Sequence, residues 1–574
     1  MGHPRVSGRT AARYASSTDL CATNRAAHSC ARPGDTGDTE DTGAARFLVS
    51  FPHEADGCVT GIVYLIGGGP GDPELCTLKA VRCLRQADLV LYDALVHPDL
   101  LKHTRPDAER VFVGKRAGRE YERQALINQR LIVAAQAGRV VARLKGGDPY
   151  LFGRGSEEAE ALAAASIPFE VVPGVPSPSA AAAYAGMSLT HRDLSSSIAF
   201  LTATESADKD QSAHDWAKLA TATQTLVIFM GVRKLANVME QLVAHGRPGS
   251  CPAAVIQSAS TPFQRTIVGT VSDIAQKAHA AGIGMPALTI VGEVVRLREQ
   301  LRWFDTKPLF GKRVLVTRAA EQSDSLAQAL RERGAQAVEL PMIRIEPALD
   351  PAPLTAAVAN LRSYQWLLFT SQNGVRAFFH ELTRQGLDSR SLFGLRIAAI
   401  GPSTAEALLP FGVRCDVMPE SFRGEALAEL IVAEIVAGQA RGMGDVRVLL
   451  PRAAVARDVL PETLRNAGAQ VDVVEAYRTY GATAETAQKL SELIEEGELD
   501  VVTFTASSTV DHTLAALGVD GAQRLRGLTL ASIGPITTDT ATAHGIEIDV
   551  TAEAFTIPGL VAALERHFST ERQS

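Results

Sequence analysis

From residue 61 onward, short apolar runs alternate with helix-like segments, and several of the runs end in glycine. Residues 62–66 are apolar and lead into Gly67-Gly68-Gly69. Leu78–Gln86 reads as a helix, with Thr77 placed to accept an unpaired N–H of its first turn. Further strands are expected over 88–92, 139–144, 225–230 and Ala287–Val291, and a helix over 180–185. Strands alternating with helices predict α/β architecture. The pattern breaks at Trp303-Phe304-Asp305-Thr306-Lys307-Pro308, which carries a proline and no periodicity. The expected organisation is one domain over 59–304, a linker over 305–310 and a second domain over 311–574.

The second domain repeats itself. Arg313-Val314-Leu315-Val316-Thr317-Arg318 resembles Arg447-Val448-Leu449-Leu450-Pro451-Arg452, 134 residues on. Gly334-Ala335-Gln336 recurs as Gly468-Ala469-Gln470, Phe369-Thr370-Ser371 as Phe504-Thr505-Ala506, and Ile400-Gly401-Pro402 as Ile533-Gly534-Pro535. Anchors at nearly one spacing predict two similar α/β units of about 130 residues with a ligand cleft between them.

Residues 1–58 differ from the rest. Pro33 to Gly43 has no period and few apolar residues, which predicts a disordered tail. The abrupt onset of pattern at Val59-Thr60-Gly61 raises the expectation that the native chain starts downstream of Met1; a native peptide from residues 1–50 would refute it. Across 574 residues, 46% hydrophobic and 21% charged content is that of a globular protein. A net charge of −7 gives no global field for nucleic acid. No apolar run reaches membrane-spanning length. Seven cysteines without a CxxC pair argue against a disulfide framework or a zinc ribbon, so no metal is expected and a reducing cytoplasm is.

Candidate chemistry lies in the glycine loops. Gly67-Gly68-Gly69-Pro70-Gly71-Asp72 follows a strand and precedes a helix, yet GxGxxG would require glycine where Asp72 stands, so a dinucleotide fingerprint does not fit. The stretch 143–155, RLKGGDPYLFGRG, combines two glycine turns with Arg143, Lys145 and Arg154. This suits a cofactor held by backbone groups beside an acidic ligand held by cations. A third loop, Val172-Pro173-Gly174-Val175-Pro176-Ser177-Pro178, reads as rigid.

These motifs carry a resemblance. GPGDPELCTLKA at 69–80, YDALV at 92–96, VGKRAG at 113–118 and RLKGGDPYLFGRGSEEAEAL at 143–162 closely resemble uroporphyrinogen-III C-methyltransferases. VVPGV at 171–175, YAGMSLTHRD at 184–193, TLVIFMG at 225–231 and PALTIVGEVV at 286–295 continue the match over roughly 60–304. The resemblance implies S-adenosylmethionine bound between two α/β lobes by Pro70, Gly146, Gly147, Asp148, Leu151, Pro176, Ser177, Met230 and Ala259. It implies Asp93 as proton acceptor and Lys115 as proton donor. The chain departs from the family at Pro176, which has no N–H to give a ligand, and at Ala259, where glycine is usual. A substrate with eight carboxylates needs cations, and Arg116, Arg119, Arg154 and Arg192 are the candidates. His191 reads as a loop hydrogen-bonder.

VLVTR at 314–318, FTSQNGV at 369–375, IGPST at 400–404, YRT at 477–479, FTASSTV at 504–510 and IGPIT at 533–537 resemble uroporphyrinogen-III synthase over about 311–566. This implies two lobes, 311–346 with 480–568 and 347–479, joined by a two-stranded hinge. Tyr477 matches the family's tyrosine for hydroxyl departure. Ser371, Asn373, Thr404, Ser508 and Thr537 are the cleft candidates, with helix capping as the alternative for Ser371 and Ser508.

The fold class expected is therefore α/β: a two-lobed tetrapyrrole methylase fold followed by a two-lobed synthase fold with an internal repeat. The expected function is cyclisation of hydroxymethylbilane to uroporphyrinogen III, then methylation at C2 and C7 to precorrin-2. Two alternatives are methylation of a later corrin intermediate and a non-catalytic tetrapyrrole-binding role for one half. The expected partners are small-molecule tetrapyrroles, with no nucleic acid and no membrane, and a homodimer formed through the methylase half.

Overall fold

The computed structural model describes residues 60–114, 124–203, 214–437 and 446–571. The expected tail, Lys115, Arg116 and Arg119 lie outside these residues. The described strands form four five-stranded sheets.

The first sheet contains β1 (Val63–Gly67), β2 (Leu89–Tyr92), β3 (Glu109–Phe112), β4 (Val141–Lys145) and β5 (Phe169–Val172). It is parallel throughout, in the order β3-β2-β4-β1-β5. Inner strands of a covered parallel sheet are buried on both faces, which is why β1 and β2 read as continuous apolar runs. The helix Leu78–Gln86 is capped by Thr77, whose Oγ1 accepts the Ala80 N–H at 3.2 Å. The chain leaves β1 toward β2 on one side and β4 toward β5 on the other. The crevice at the carboxyl ends of β1 and β4 is thus a topological switch point, where open α/β sheets bind ligands.

The second sheet contains β6 (Ile198–Thr202), β7 (Thr225–Phe229), β8 (Pro252–Gln257), β9 (Arg265–Thr270) and β10 (Ala287–Val291), ordered β6-β7-β10-β8-β9. Only β6 and β7 run parallel.

The remaining strands are β11 (Arg313–Val316), β12 (Gln336–Glu339), β13 (Ile343–Pro347), β14 (Trp366–Phe369), β15 (Arg396–Ala399), β16 (Arg447–Ala453), β17 (Gln470–Gly481), β18 (Val501–Phe504), β19 (Thr529–Ser532) and β20 (Val550–Thr551). They form one sheet ordered β12-β11-β18-β19-β20 and another ordered β13-β17-β16-β14-β15. The repeat equates β11 with β16, β12 with β17, β14 with β18 and β15 with β19. Each sheet therefore takes its first strands from one repeat and its last from the other. The repeats are not separate folding units: each lends half its strands to its mate, and β13 joins the fourth sheet through antiparallel pairing with β17.

The segment where the sequence pattern breaks is packed. Phe304 and Leu309 are buried, and the Phe304 ring lies 4.7 Å from that of Tyr184 and 5.3 Å from that of Phe310. Nearby, an alternating cluster joins the turn Pro98–His103 to β12. Arg331 pairs with Asp99 at 2.6 Å and Glu339 at 2.7 Å, and Lys102 with Asp99 at 3.0 Å and Glu339 at 2.8 Å. Burial pushes the Glu339 pKa up, but hydrogen bonds from Lys102, Ser323 and Arg331 outweigh it and hold the carboxyl at about 2. The stability this contributes is complete above the unfolded carboxyl's range and is lost as pH falls from about 4.5 toward 2. Glu339→Gln should therefore melt below wild type at pH 7, with the gap narrowing by about 1.4 kcal/mol per pH unit below pH 4.5. A gap constant from pH 7 to 3.5 would refute this.

Candidate functional site

At the switch point the loops after β1 and β4 are bound to each other. Gly69 N–H donates to Gly147 O at 3.2 Å, and Gly147 N–H donates to Gly69 O at 2.9 Å. Both glycines have positive φ, +74° and +71°. A Cβ on Gly67 would lie 2.6 Å from Gly147 O, and one on Gly146 would lie 2.9 Å from Leu95 Cβ. Only glycine permits this approach. Asp148 ties in the loop after β5: its Oδ2 accepts from Gly174 N–H at 3.1 Å and its Oδ1 from Tyr150 N–H at 2.8 Å. A Cβ at Gly147 would meet Ser177 Oγ at 3.1 Å, so the helix Ser177–Tyr184 begins against this cradle. Pro176 caps that helix with its carbonyl, which accepts from Ser179 N–H at 3.0 Å.

The second sheet supplies the facing wall. Ser260 Oγ donates to Pro70 O at 2.6 Å, which brings Ala259 beside the glycine loop. Met230 follows β7, is 48% exposed and has φ +52°. Phe152, Arg154, Ser258 and Ser260 also have positive φ. Such strain gathers where backbone shape serves a site. Leu151 and Ala259 are half-buried against the core beneath that wall. Asp72 caps the turn after the loop and accepts Tyr184 O–H at 2.7 Å.

Asp93 follows β2 at the same edge. Both of its oxygens are held by the Arg143 guanidinium, at 2.8 and 2.9 Å. Arg143 and Lys145 alternate on β4 and so share a face. Both meet Glu158, 3.0 Å from Arg143 Nε and 3.0 Å from Lys145 Nζ. Side-chain exposure is 2% for Arg143, 5% for Lys145 and 0% for Glu158. Burial, followed by repulsion from Arg143, lowers the Lys145 pKa against the pull of Glu158 and Asp93. Two cations and two anions thus form a desolvated, formally neutral quartet with only Asp93 partly open, at 27%. Arg154 is a surface residue paired to Glu157 at 2.8 Å, and Arg192 is exposed. His191 Nδ1 accepts Asp193 N–H at 3.2 Å within its own loop.

A second site lies at the carboxyl ends of β14, β16 and β18. A cavity of about 330 Å³ is lined by Ser371, Phe422, Arg452, Tyr477, Ser507 and Ile536, among others. Tyr477 sits where β17 passes from β16 to β13, opposite a bulge at Arg452/Ala453. Its hydroxyl is 2.9 Å from Ser371 Oγ, and Asn373 also bonds it. Burial raises the Tyr477 pKa above the ordinary phenol value, against those two bonds, so the O–H keeps its proton at neutral pH. Ser371 also caps the helix Gln372–Arg384 through Gly374 N–H at 3.0 Å, so capping and cleft lining coincide in one residue. Thr404 and Thr537 are buried, at 3% and 4% exposure, and do not line this cavity. Asn373 and Ser508 do not line it either, and Ser507 does.

Sequence reasoning missed Glu158, the pairing of Arg143 with Asp93, and Ser507. The available signal for the first two was Arg143-x-Lys145 inside an otherwise apolar strand, which demands buried acidic partners.

Comparison with known proteins gives two family matches. Residues 62–275 match the model described as tetrapyrrole (corrin/porphyrin) methylases, and residues 324–562 match uroporphyrinogen-III synthase HemD. The porphyrin biosynthesis protein HemD of Ruminiclostridium josui is 39% identical over 504 residues, covering 88% of this chain and 97% of that protein. The uroporphyrinogen-III C-methyltransferase of Bacillus subtilis is 40% identical over 333 residues, covering 58% of this chain and 68% of the relative. Among solved structures, the uroporphyrin-III C-methyltransferase of Thermus thermophilus complexed with S-adenosyl homocysteine is 40% identical. It covers 41% of this chain and 100% of that one, with a TM-score of 0.36.

Proposed function

The chain belongs to the HemD-type porphyrin biosynthesis proteins that join a tetrapyrrole methylase to a uroporphyrinogen-III synthase, and from that premise we propose that it makes precorrin-2 from hydroxymethylbilane. The synthase, over 311–574, closes the linear tetrapyrrole with inversion of one ring. The methylase, over 59–304, then methylates C2 and C7 of uroporphyrinogen III. The observation that carries this reading is the pairing of a glycine cradle with an oriented carboxylate, Asp93, at one switch point.

S-adenosylmethionine supplies an electrophilic methyl group when bound. Pro70, Gly146, Gly147, Asp148, Leu151, Pro176, Ser177, Met230 and Ala259 are the residues we assign to hold it. Supporting the assignment is the cradle itself, in which a Cβ at Gly146 would meet Leu95. Pro176 has no N–H and its carbonyl already accepts from Ser179 N–H, so it contributes its ring surface to that wall and Ser177 carries more of the polar contact. Asp93 takes the proton whose loss from the ring system restores conjugation after the methyl group has been added. A carboxylate bound to a guanidinium still has lone pairs free for this. Lys115 is the assigned proton donor, and Arg116, Arg154 and Arg192 are assigned to substrate carboxylates.

In the synthase, Tyr477 donates its proton to the departing hydroxyl, aligned by Ser371 and Asn373. Asn373, Thr404, Ser508 and Thr537 then act from outside the cavity wall. Tyr477→Phe should lower the ring-closure kcat about 10- to 100-fold, the loss of one oriented donor. Methylation of supplied uroporphyrinogen III should be unchanged. Full ring closure in this variant would remove Tyr477 from the mechanism.

Purified protein given hydroxymethylbilane tests the whole reading. Uroporphyrinogen III is expected without S-adenosylmethionine and precorrin-2 with it. Formation of the type I isomer alone would eliminate the synthase assignment, and no methyl transfer to supplied uroporphyrinogen III would eliminate the methylase. We infer also a cytoplasmic homodimer joined through the methylase. Four described cysteines are free thiols, and exposed Leu126 and Val133 on the helix Gln124–Gln136 offer an apolar face. Light scattering at the monomer mass would refute the dimer.

A further inference from the structure

The repeat sets two arginines in equivalent places. Arg318 follows β11 and Arg452 ends the matching stretch of β16, 134 residues later, each at the carboxyl end of its strand. Their surroundings differ. Arg452 lines the cavity and is neutralised by Asp458 at 2.5 Å, with a further bond to Arg457 O at 2.9 Å. Arg318 is half-buried and donates to the neutral Gln322 Oε1 at 3.2 Å. Its charged neighbour is Arg376, which repels it, and no carboxylate acts on it among the described residues.

The Arg318 group reaches the same cleft as Tyr477. Gln322 passes its amide N–H to Asn373 Oδ1 at 2.5 Å, and Asn373 bonds the Tyr477 hydroxyl. Asn373 and Arg376 lie on the helix Gln372–Arg384 behind the fourth sheet, whereas Arg318 and Gln322 belong to the third. A polar chain thus crosses the cleft, with the Arg318 guanidinium at its outer end and the exposed Arg376 of the opposite helix near enough to repel it. Burial first, and Arg376 second, push the Arg318 pKa below the ordinary guanidinium value. Two guanidinium groups held near each other without an anion have the charge and the donor geometry for a carboxylate.

We propose that Arg318, with Arg376 opposite, is a carboxylate-binding site for an acidic side chain of the tetrapyrrole, placed one polar chain away from Tyr477. Arg452 cannot serve in the same way because Asp458 already occupies its fork. The two ends of a nearly twofold cleft are thereby made unlike. A linear substrate with four similar rings then has one preferred direction of binding. This rests on the synthase reading above.

The test is steady-state ring closure by the full chain, with Arg318→Gln, Arg318→Lys and Arg376→Gln. Arg318→Gln should raise KM about 10- to 100-fold, the size of a charge-assisted hydrogen-bond pair, and change kcat little. Arg318→Lys should recover part of the loss, since it keeps the charge without the fork. Arg376→Gln should raise KM by a smaller factor. A KM within twofold of wild type for Arg318→Gln would overturn the site. If that variant does not fold, judged by its melting curve, Arg318→Lys decides: a raised KM supports the site and an unchanged KM overturns it. Failure of the wild type to form uroporphyrinogen III would be a different result, defeating the synthase reading itself.

Discussion

Asp93→Asn should lose methyl transfer to uroporphyrinogen III by about 10²- to 10⁴-fold in kcat while ring closure of hydroxymethylbilane stays at the wild-type rate. Asparagine keeps the size of the side chain and one acceptor oxygen. It cannot take up a proton, and its NH₂ would face the Arg143 donors that now hold both carboxylate oxygens. Arg143 and Lys145 keep the fully buried Glu158 as their common partner, and unchanged ring closure by the same protein, with its melting curve, checks that the chain is folded. Both methylations should fall together, because one carboxylate serves both positions. Binding of the cofactor should change little, since the glycine cradle assigned to it is held together by its own backbone bonds and not by Asp93. Loss of both activities would mean that the boundary near residue 305 is misplaced. Retention of methylation would mean that Asp93 only anchors Arg143.

Much of the frame was legible because parallel strands write themselves as apolar runs. The helix Leu78–Gln86 and the strand Ala287–Val291 fall at their expected limits, and the other predicted strands begin or end within two residues of those observed. The helix expected over 180–185 starts three residues earlier, at Ser177, because Pro178 is tolerated in a first turn where N–H groups need no intrahelical partner. The repeat was also visible, but not its consequence. A match at a spacing of 134 shows that two segments are alike, not which strand pairs with which. The exchange of half-sheets is decided by packing between segments nearly 190 residues apart, such as β11 with β18.

The site residues were harder to read for the same reason. Three acidic or polar residues follow Gly155, and nothing in their spacing says that Glu157 pairs with Arg154 on the surface while Glu158 is buried. Ser507 and Ser508 differ by one residue, yet a step of one along a helix turns the side chain by about 100°. Thr404 and Thr537 sit at equivalent points of the repeat, and the structure buries both against their sheets. Repetition there reflects shared packing. The features proposed for function are those that the repeats do not share, namely Tyr477 in the cavity wall and the differing partners of Arg318 and Arg452.

The quartet beneath Asp93 gives the second large effect. Glu158→Gln should destabilise the protein by about 3–5 kcal/mol, because it leaves Arg143 and Lys145 buried with Asp93 as the remaining anion. The Gln124 amide, which now donates to Glu158 Oε1 at 3.0 Å, keeps a weaker acceptor. The pH dependence separates electrostatics from packing. Lys145 already titrates below an ordinary lysine, and losing Glu158 removes the largest attraction holding its proton. A lysine whose folded pKa is depressed imposes its full penalty below that pKa. The penalty is relieved as pH rises from the folded toward the unfolded value. The deficit of Glu158→Gln against wild type should therefore shrink between pH 7 and 10. Lys145→Met combined with Glu158→Gln should recover stability relative to Glu158→Gln alone, since the second change removes the uncompensated cation. Chemical denaturation of the three proteins at pH 7 and 9.5 measures both effects. A deficit independent of pH, with no recovery in the double variant, would mean that Glu158 acts by filling space and that charge balance does not hold the Asp93 edge in place.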